Sequence, residues 1–257
     1  NLVMFFNCNK MKLNTYLDAT YLKTPEDSGL TENETTQNVI ELIEDAIVDN
    51  YKLVMIRNNY IALAKEMLSK ANSKVQVGTV IDFPFGNGGL ELKLKEAQNA
   101  IDLGADDLDF VVDYQAFKNG EIDKVSEEIL EGTKLGLSNH KVVKWIIEVA
   151  ALSDKEIIQL TTLIKRIVIS NFIEKDYENV FVKSSTGFFK TPNGEPNGAT
   201  IHSIILMLEN ATPLPVKAAG GVRTTQEAID MIKLGVERIG TSSQKAILFG
   251  QTGNSNY

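Results

Sequence analysis

Hydrophobic positions along the chain fall into two alternating textures. Short runs rich in Val, Ile, Leu and Phe are each followed by a longer stretch with apolar residues at helical spacing, and the pair recurs eight times. The short runs predict strands over residues 14–19, 53–56, 75–81, 107–112, 142–148, 180–183, 214–217 and 238–241. The longer stretches predict helices over 35–49, 60–70, a segment ending at 103, 122–135, a segment opening at 153, 201–209, 224–235 and a last one from 242. Ser153 with Glu156 and Thr224 with Glu227 have capping-box spacing, and Gly104 follows its helix as a C-terminal stop does. Pro84 and the glycines 86, 88 and 89 break the third strand, and the loop over 188–198 is rich in Pro, Asn and Gly, with its stretch 191–198 long enough to act as a lid.

Strands alternating with helices imply βαβ units and a parallel sheet, and eight such units imply a (β/α)8 TIM barrel. The rival is a doubly wound open sheet. It loses ground because no G-x-G-x-x-G follows the first strand. Nothing in the chain reads as a linker or repeat, so we expect a single α/β domain over 13–249, a short N-terminal extension over 1–12 and a flexible polar tail over 250–257.

Composition narrows the function. The chain has 257 residues, 43% of them hydrophobic, and a net charge of −8, which argues against a nucleic-acid binder. Cys8 is the one cysteine, so no intrachain disulfide forms, and a cytoplasmic protein is expected. No apolar run approaches eighteen residues, so no membrane partner is expected, and the run 2–6 is shorter than a signal-peptide core. His140 and His202 belong to no ligand-spaced cluster, so we expect neither zinc nor a cofactor, although a carboxylate site for Mg²⁺ stays open.

Candidate chemistry lies at strand ends, where barrels carry it. Asp109, Lys183 and Lys217 interrupt apolar runs on strands four, six and seven. Each lysine either ends its strand and snorkels to water, or faces inward. Two inward lysines on neighbouring strands repel, and the cation of Lys217 lowers the pKa of Lys183 toward a nucleophilic amine that forms Schiff bases. Asp109 is then available to move protons. Gly220, Gly221 and Arg223 follow strand seven, Gly240, Ser242 and Ser243 follow strand eight, and Gly187 follows strand six. They form either a phosphate cradle or ordinary turns and N-caps, with Arg223 on the phosphate or on the rim. Glu148 orients Lys183 or a water; Lys144 pairs with Asp109 or Glu148; Asp18 and Thr20 meet substrate hydroxyls or cap a turn.

The segments 17–20, 79–86, 104–111, 144–148, 182–187, 216–223 and 239–243 together resemble the deoxyribose-phosphate aldolase family of class I aldolases, in family order. The resemblance implies a TIM barrel that reversibly cleaves 2-deoxy-D-ribose 5-phosphate to acetaldehyde and D-glyceraldehyde 3-phosphate, acting as a homodimer. By position it implies that Lys183 is the Schiff-base lysine, Lys217 the lysine that lowers its pKa, and Asp109 the proton-transferring aspartate. Gly187, Gly220, Gly221, Ser242 and Ser243 match the phosphate cradle. Tyr257 ends the chain where some members carry a tyrosine that helps proton transfer at the enamine. The chain departs from the family at 55–59, where a Cys-x-x-Pro-type segment is usual, and at Phe188, where some members place a lysine near the phosphate. A different donor for the same Schiff-base chemistry, as in another aldolase or a transaldolase, and a catalytically silent phosphosugar-binding barrel are the alternatives.

Overall fold

A computed structural model describes residues 12–250 of the chain. Eight parallel strands close into one barrel in chain order: β1 Leu17–Tyr21, β2 Leu53–Ile56, β3 Gln76–Ile81, β4 Asp107–Val111, β5 Val142–Ile146, β6 Val180–Lys183, β7 Val216–Ala219 and β8 Arg238–Thr241. The helices between them are α1 Pro25–Ser28, α2 Glu32–Asp49, α3 Ile61–Lys70, α4 Gly89–Asp102, α5 Tyr114–Lys118, α6 Ile122–Ser138, α7 Asp154–Asn171, α8 Ile201–Ala211, α9 Thr225–Leu234 and α10 Gln244–Phe249. The TIM barrel expected from the alternation is therefore present. Both expected capping boxes form: Ser153 opens α7 with Glu156, and Thr224 opens α9 with Glu227. Residues 1–11 and 251–257, which hold nearly all of the expected extension and tail, lie outside the described residues.

Side-chain parity sorts the strands into two surfaces. Leu17, Ala19, Val54, Ile56, Leu108, Phe110, Val143, Trp145, Val182 and Ile239 point outward into the core between strands and helices. The residues between them point into the barrel. On β1 and β4 to β8 that inner set is rich in charge, so these strands alternate apolar with ionic positions, in place of the nearly continuous apolar runs expected of a helix-covered sheet.

Three boundaries differ from expectation for local reasons. Residues 14–16 belong to a 3-10 turn, because the Asn14 amide donates to the carbonyls of Asp49 and Asn50 at the end of α2. β7 starts at Val216, two residues late, because Pro215 has no N–H to give to a ladder. Lys217 is consequently an interior strand residue and fully buried. β5 stops at Ile146, and Glu148 beyond it takes a left-handed conformation with φ of 57°. Helices α1 and α5, absent from the sequence reading, have signals in hindsight: Thr24 with Asp27 caps the first, and Asp113 accepts from the Ala116 N–H at the second.

Candidate active site

Strand register brings the ionisable residues together before any side chain is considered. Lys183 faces Lys217 across β6 and β7, Asp109 faces Lys144 across β4 and β5, and Lys217 faces Arg238 across β7 and β8. Their side chains meet inside the barrel. The Asp109 carboxylate accepts from Lys183 and Lys217 on one oxygen, both at 2.8 Å, and from Lys144 on the other at 2.8 Å. Lys144 also donates to Asp107 at 2.6 Å. Lys217 pairs with Asp18 at 2.5 Å, and Arg238 pairs with Asp18 at 2.6 Å and Asp107 at 3.1 Å. Asp18, Asp107, Asp109, Lys144 and Lys217 have no exposure at all.

This network holds four cationic side chains and three carboxylates. One proton too many is a heavy cost in a buried cluster, and the cheapest remedy is for one amine to lose its charge. The geometry decides which one. Lys144, Lys217 and Arg238 each reach two carboxylates, whereas Lys183 reaches one among the described residues. Burial draws the Lys183 pKa down from the ordinary lysine value to about 8; Asp109 opposes the shift, and Lys217 and Lys144 add to it. Burial acts on Lys144 too, but there Asp107 and Asp109 outweigh it and hold the ammonium above its ordinary value. Asp109 is kept well below the usual carboxylate range: burial favours its neutral form, but Lys144, Lys183 and Lys217 overwhelm it. The lysine with the loosest hold on its proton is thus the one that also lines an open cleft.

That cleft lies at the C-terminal ends of β6, β7, β8 and β1. Lys183 shares its wall with Thr20, Leu22, Gly187, Gly220, Gly221, Arg223, Gly240, Ser242 and Ser243. The turn at Gly220–Gly221 runs at φ of 81° and 86°, open to glycine and strained for other residues. Gly198 packs so closely there that a Cβ on it would stand 2.4 Å from the Gly220 carbonyl oxygen. Asn197 lines the same cleft and donates to the Gly187 carbonyl at 3.1 Å, so the 188–198 loop is tied to both turns. The cleft therefore presents backbone from three strand ends, two serines and one guanidinium beside a buried amine.

The other expected residues divide. Lys144 pairs with Asp109, not Glu148. Glu148 accepts from the N–H and hydroxyl of Thr186, so it fixes the turn after β6 and has no direct bond to Lys183; burial raises its pKa. Asp18 turns away from the cleft and belongs to the ion network, whereas Thr20 lines the cleft and donates to the Asp18 carbonyl. Gly240 lines the cleft and also leaves room for Lys217, whose Cε is 3.1 Å from where a Cβ would be. The weight given to Lys217 in the sequence reading is corrected: burial is the larger cause of the Lys183 shift, and Lys217 adds to it. Tyr257 lies outside the described residues. Asp107 and Arg238 were missed. The signal was available, since Asp107 shares parity with Asp109 and Arg238 opens a short strand beside that of Lys217.

No family model matches the chain. Curated relatives do. A deoxyribose-phosphate aldolase from Thermococcus gammatolerans is 36% identical over 241 residues, covering 93% of this chain and 96% of the relative. One from Streptococcus gordonii is 37% identical over 248 residues, covering 96% and 100%. Among solved structures, a tetrameric deoxyribose phosphate aldolase from Aeropyrum pernix superimposes with a TM-score of 0.74 at 27% identity, covering 93% of this chain and 90% of that one. Near-full-length likeness in sequence, and a barrel whose inward lysines adjoin a glycine-walled cleft, agree: the chain belongs to the deoxyribose-phosphate aldolase family.

Proposed function

We propose that this protein reversibly cleaves 2-deoxy-D-ribose 5-phosphate to acetaldehyde and D-glyceraldehyde 3-phosphate, with Lys183 as the covalent centre. One observation carries the reading: Lys183 lines the cleft, and burial among other cations lowers its pKa to about 8. At neutral pH roughly a tenth of the free enzyme then holds a neutral amine there, against far less than a hundredth for an ordinary lysine.

In the cleavage direction the Lys183 amine attacks C1 of the open-chain aldehyde. A proton passes from nitrogen to oxygen, water leaves, and an iminium remains at C1. Loss of the C3 hydroxyl proton sends the C2–C3 electron pair into the iminium. Glyceraldehyde 3-phosphate departs, and an enamine is left on the lysine. Protonation at C2 and addition of water release acetaldehyde and restore the amine. Asp109 touches the Lys183 nitrogen, so it is the relay for protons entering and leaving that atom. Lys217 and Lys144 keep Asp109 ionised and disfavour a third ammonium beside them. The backbone at Gly187, Gly220 and Gly221 with Ser242 and Ser243 holds the phosphate, and Arg223 adds charge at the rim. Tyr257 would assist proton transfer at the enamine. The enzyme works without a metal, as a homodimer in the cytoplasm, in deoxyribose phosphate catabolism and nucleoside salvage.

Deoxyribose 5-phosphate offered to the purified protein should yield triose phosphate and acetaldehyde in equal amounts. A panel of other phosphorylated sugars separates this from a transaldolase. Binding without turnover would leave only a phosphosugar-binding barrel.

A further inference from the structure

Among the described residues, Glu148 is a buried carboxylate with no ion-pair partner. It lies just past β5, 1% exposed, at φ of 57°, a left-handed backbone that glycine takes freely and other residues adopt at a cost. One of its oxygens accepts two hydrogen bonds, from the Thr186 N–H at 3.1 Å and from the Thr186 hydroxyl. Its other oxygen has no hydrogen bond among the described residues. Burial penalises the charge and raises the pKa; the Thr186 hydroxyl and N–H oppose that, and the Ser185 hydroxyl and the Lys183 charge help from nearby. The carboxylate therefore depends on Thr186 and holds its proton firmly.

Thr186 joins Glu148 to the cleft. It follows Lys183 by three residues and precedes Gly187, and all three line the cleft. A hydroxyl has one proton to give and two lone pairs to offer. Here the proton goes to Glu148, and one lone pair takes the Phe188 N–H at 3.0 Å. One lone pair is left for the cleft. A free threonine hydroxyl can swing and either donate or accept. Tied in this way, it can only accept.

We propose that Glu148 is a positioning residue: by holding the Thr186 proton it makes Thr186 a fixed acceptor for a hydroxyl of the bound sugar phosphate. This role rests on the Schiff-base reading, in which C1 sits on Lys183 and the phosphate at Gly187. The hydroxyl-bearing carbons then lie along the stretch between, where Thr186 is. Glu148 itself never touches substrate. Its strained backbone is held against β6, because the Ile147 and Val149 N–H groups donate to the Lys183 and Ser184 carbonyls at 3.0 and 2.9 Å. A sugar group that offers only lone pairs at that point, such as a carbonyl or an ether, would meet the Thr186 lone pair without a proton between them and be disfavoured.

The test is a double-mutant cycle on kcat/KM for cleavage of deoxyribose 5-phosphate. Glu148→Gly removes the carboxylate at a backbone that glycine tolerates, with Glu148→Ala in its place should that protein not fold. Thr186→Val removes the hydroxyl and keeps the N–H. Each should lower kcat/KM by about 10- to 100-fold, most of it in KM. The double variant should lose no more than the worse single one, because the carboxylate acts through the hydroxyl. Glu148→Gln, whose amide oxygen still accepts from Thr186, should recover most of the loss. Borohydride trapping of acetaldehyde on Lys183 should proceed in every variant as in the parent, since acetaldehyde has no hydroxyl to hold. Losses that multiply in the double variant, a Thr186→Val protein as active as the parent, or a Gln variant no better than Gly would overturn the proposal. Trapping lost from the variants would overturn it too, since the damage would then lie at Lys183. Absence of trapping in the parent protein would instead overturn the Schiff-base reading beneath it.

Discussion

At the scale of single residues, the account turns on unequal claims to charge. Lys183 is the cation that the network holds least well, and Lys144 is one that it holds firmly. Removing each should therefore have opposite effects on stability. Lys183→Met relieves the excess charge while Asp109 keeps Lys144 and Lys217, so it should abolish turnover yet raise stability by about 1–2 kcal/mol at pH 7. In a barrel of this size that is a rise of several degrees in the unfolding midpoint. Lys144→Met leaves Asp107 with Arg238 alone and one Asp109 oxygen without its lysine, and should cost about 3–5 kcal/mol. The sign with pH is specific. Because the folded pKa of Lys183 is depressed to about 8, the unfolded chain binds that proton more tightly between about 8 and the ordinary 10.5. The Lys183 contribution to stability should thus improve as pH rises through that window, and the difference from Lys183→Met should shrink. Activity follows the same group: kcat/KM should climb with pH through about 8. In Lys217→Leu that limb should move to higher pH, since a depressing cation is gone and Asp109 is freer to hold the ammonium.

At the scale of elements, short strands decide where these side chains end up. Gly240 is the tightest case. A methyl there would stand 3.1 Å from both Lys217 Cε and Ala219 Cβ, so Gly240→Ala should cost about 1–3 kcal/mol. It should also lower kcat by displacing Lys217, measurable by thermal unfolding beside the pH–rate profile. The bounds of β2 and β6 were readable because each is a compact apolar run, and those of β8 because Gly235 stops the helix before it and Ser242–Ser243 follow it. β7 was not, since the apolar Leu214 hides the fact that Pro215 has no N–H for the ladder and joins it only by its carbonyl, which accepts from the Val182 N–H. The same slip made Lys217 look like a strand end, when it lies inside the strand. Asp109, Lys183 and Lys217 were visible because a charge inside an apolar run is conspicuous. Asp107 and Arg238 begin their strands, where charge attracts no notice, and only closure of the barrel carries Arg238 from β8 across to Asp107 on β4. The role of Glu148 was equally hidden, since it depends on a left-handed residue whose carboxylate catches the turn after the next strand.

At the scale of the whole molecule, barrel closure gathers the charged network beside the cleft. A network that neutralises its three carboxylates with lysines and an arginine has its charge balanced from within. Turnover should accordingly survive exhaustive chelation with EDTA unchanged, and a loss restored by added metal would contradict the metal-free part of the proposal. No helix among the described residues is long and apolar enough to cross a membrane. The central claim is that one buried amine becomes covalently bound to substrate, and reductive trapping tests it most directly. The protein is treated with acetaldehyde and borohydride, digested, and mapped by mass spectrometry. The account predicts a single ethyl group on Lys183 with loss of activity in proportion. Trapping at another lysine, or an unmodified Lys183 in protein that still turns over, would contradict it.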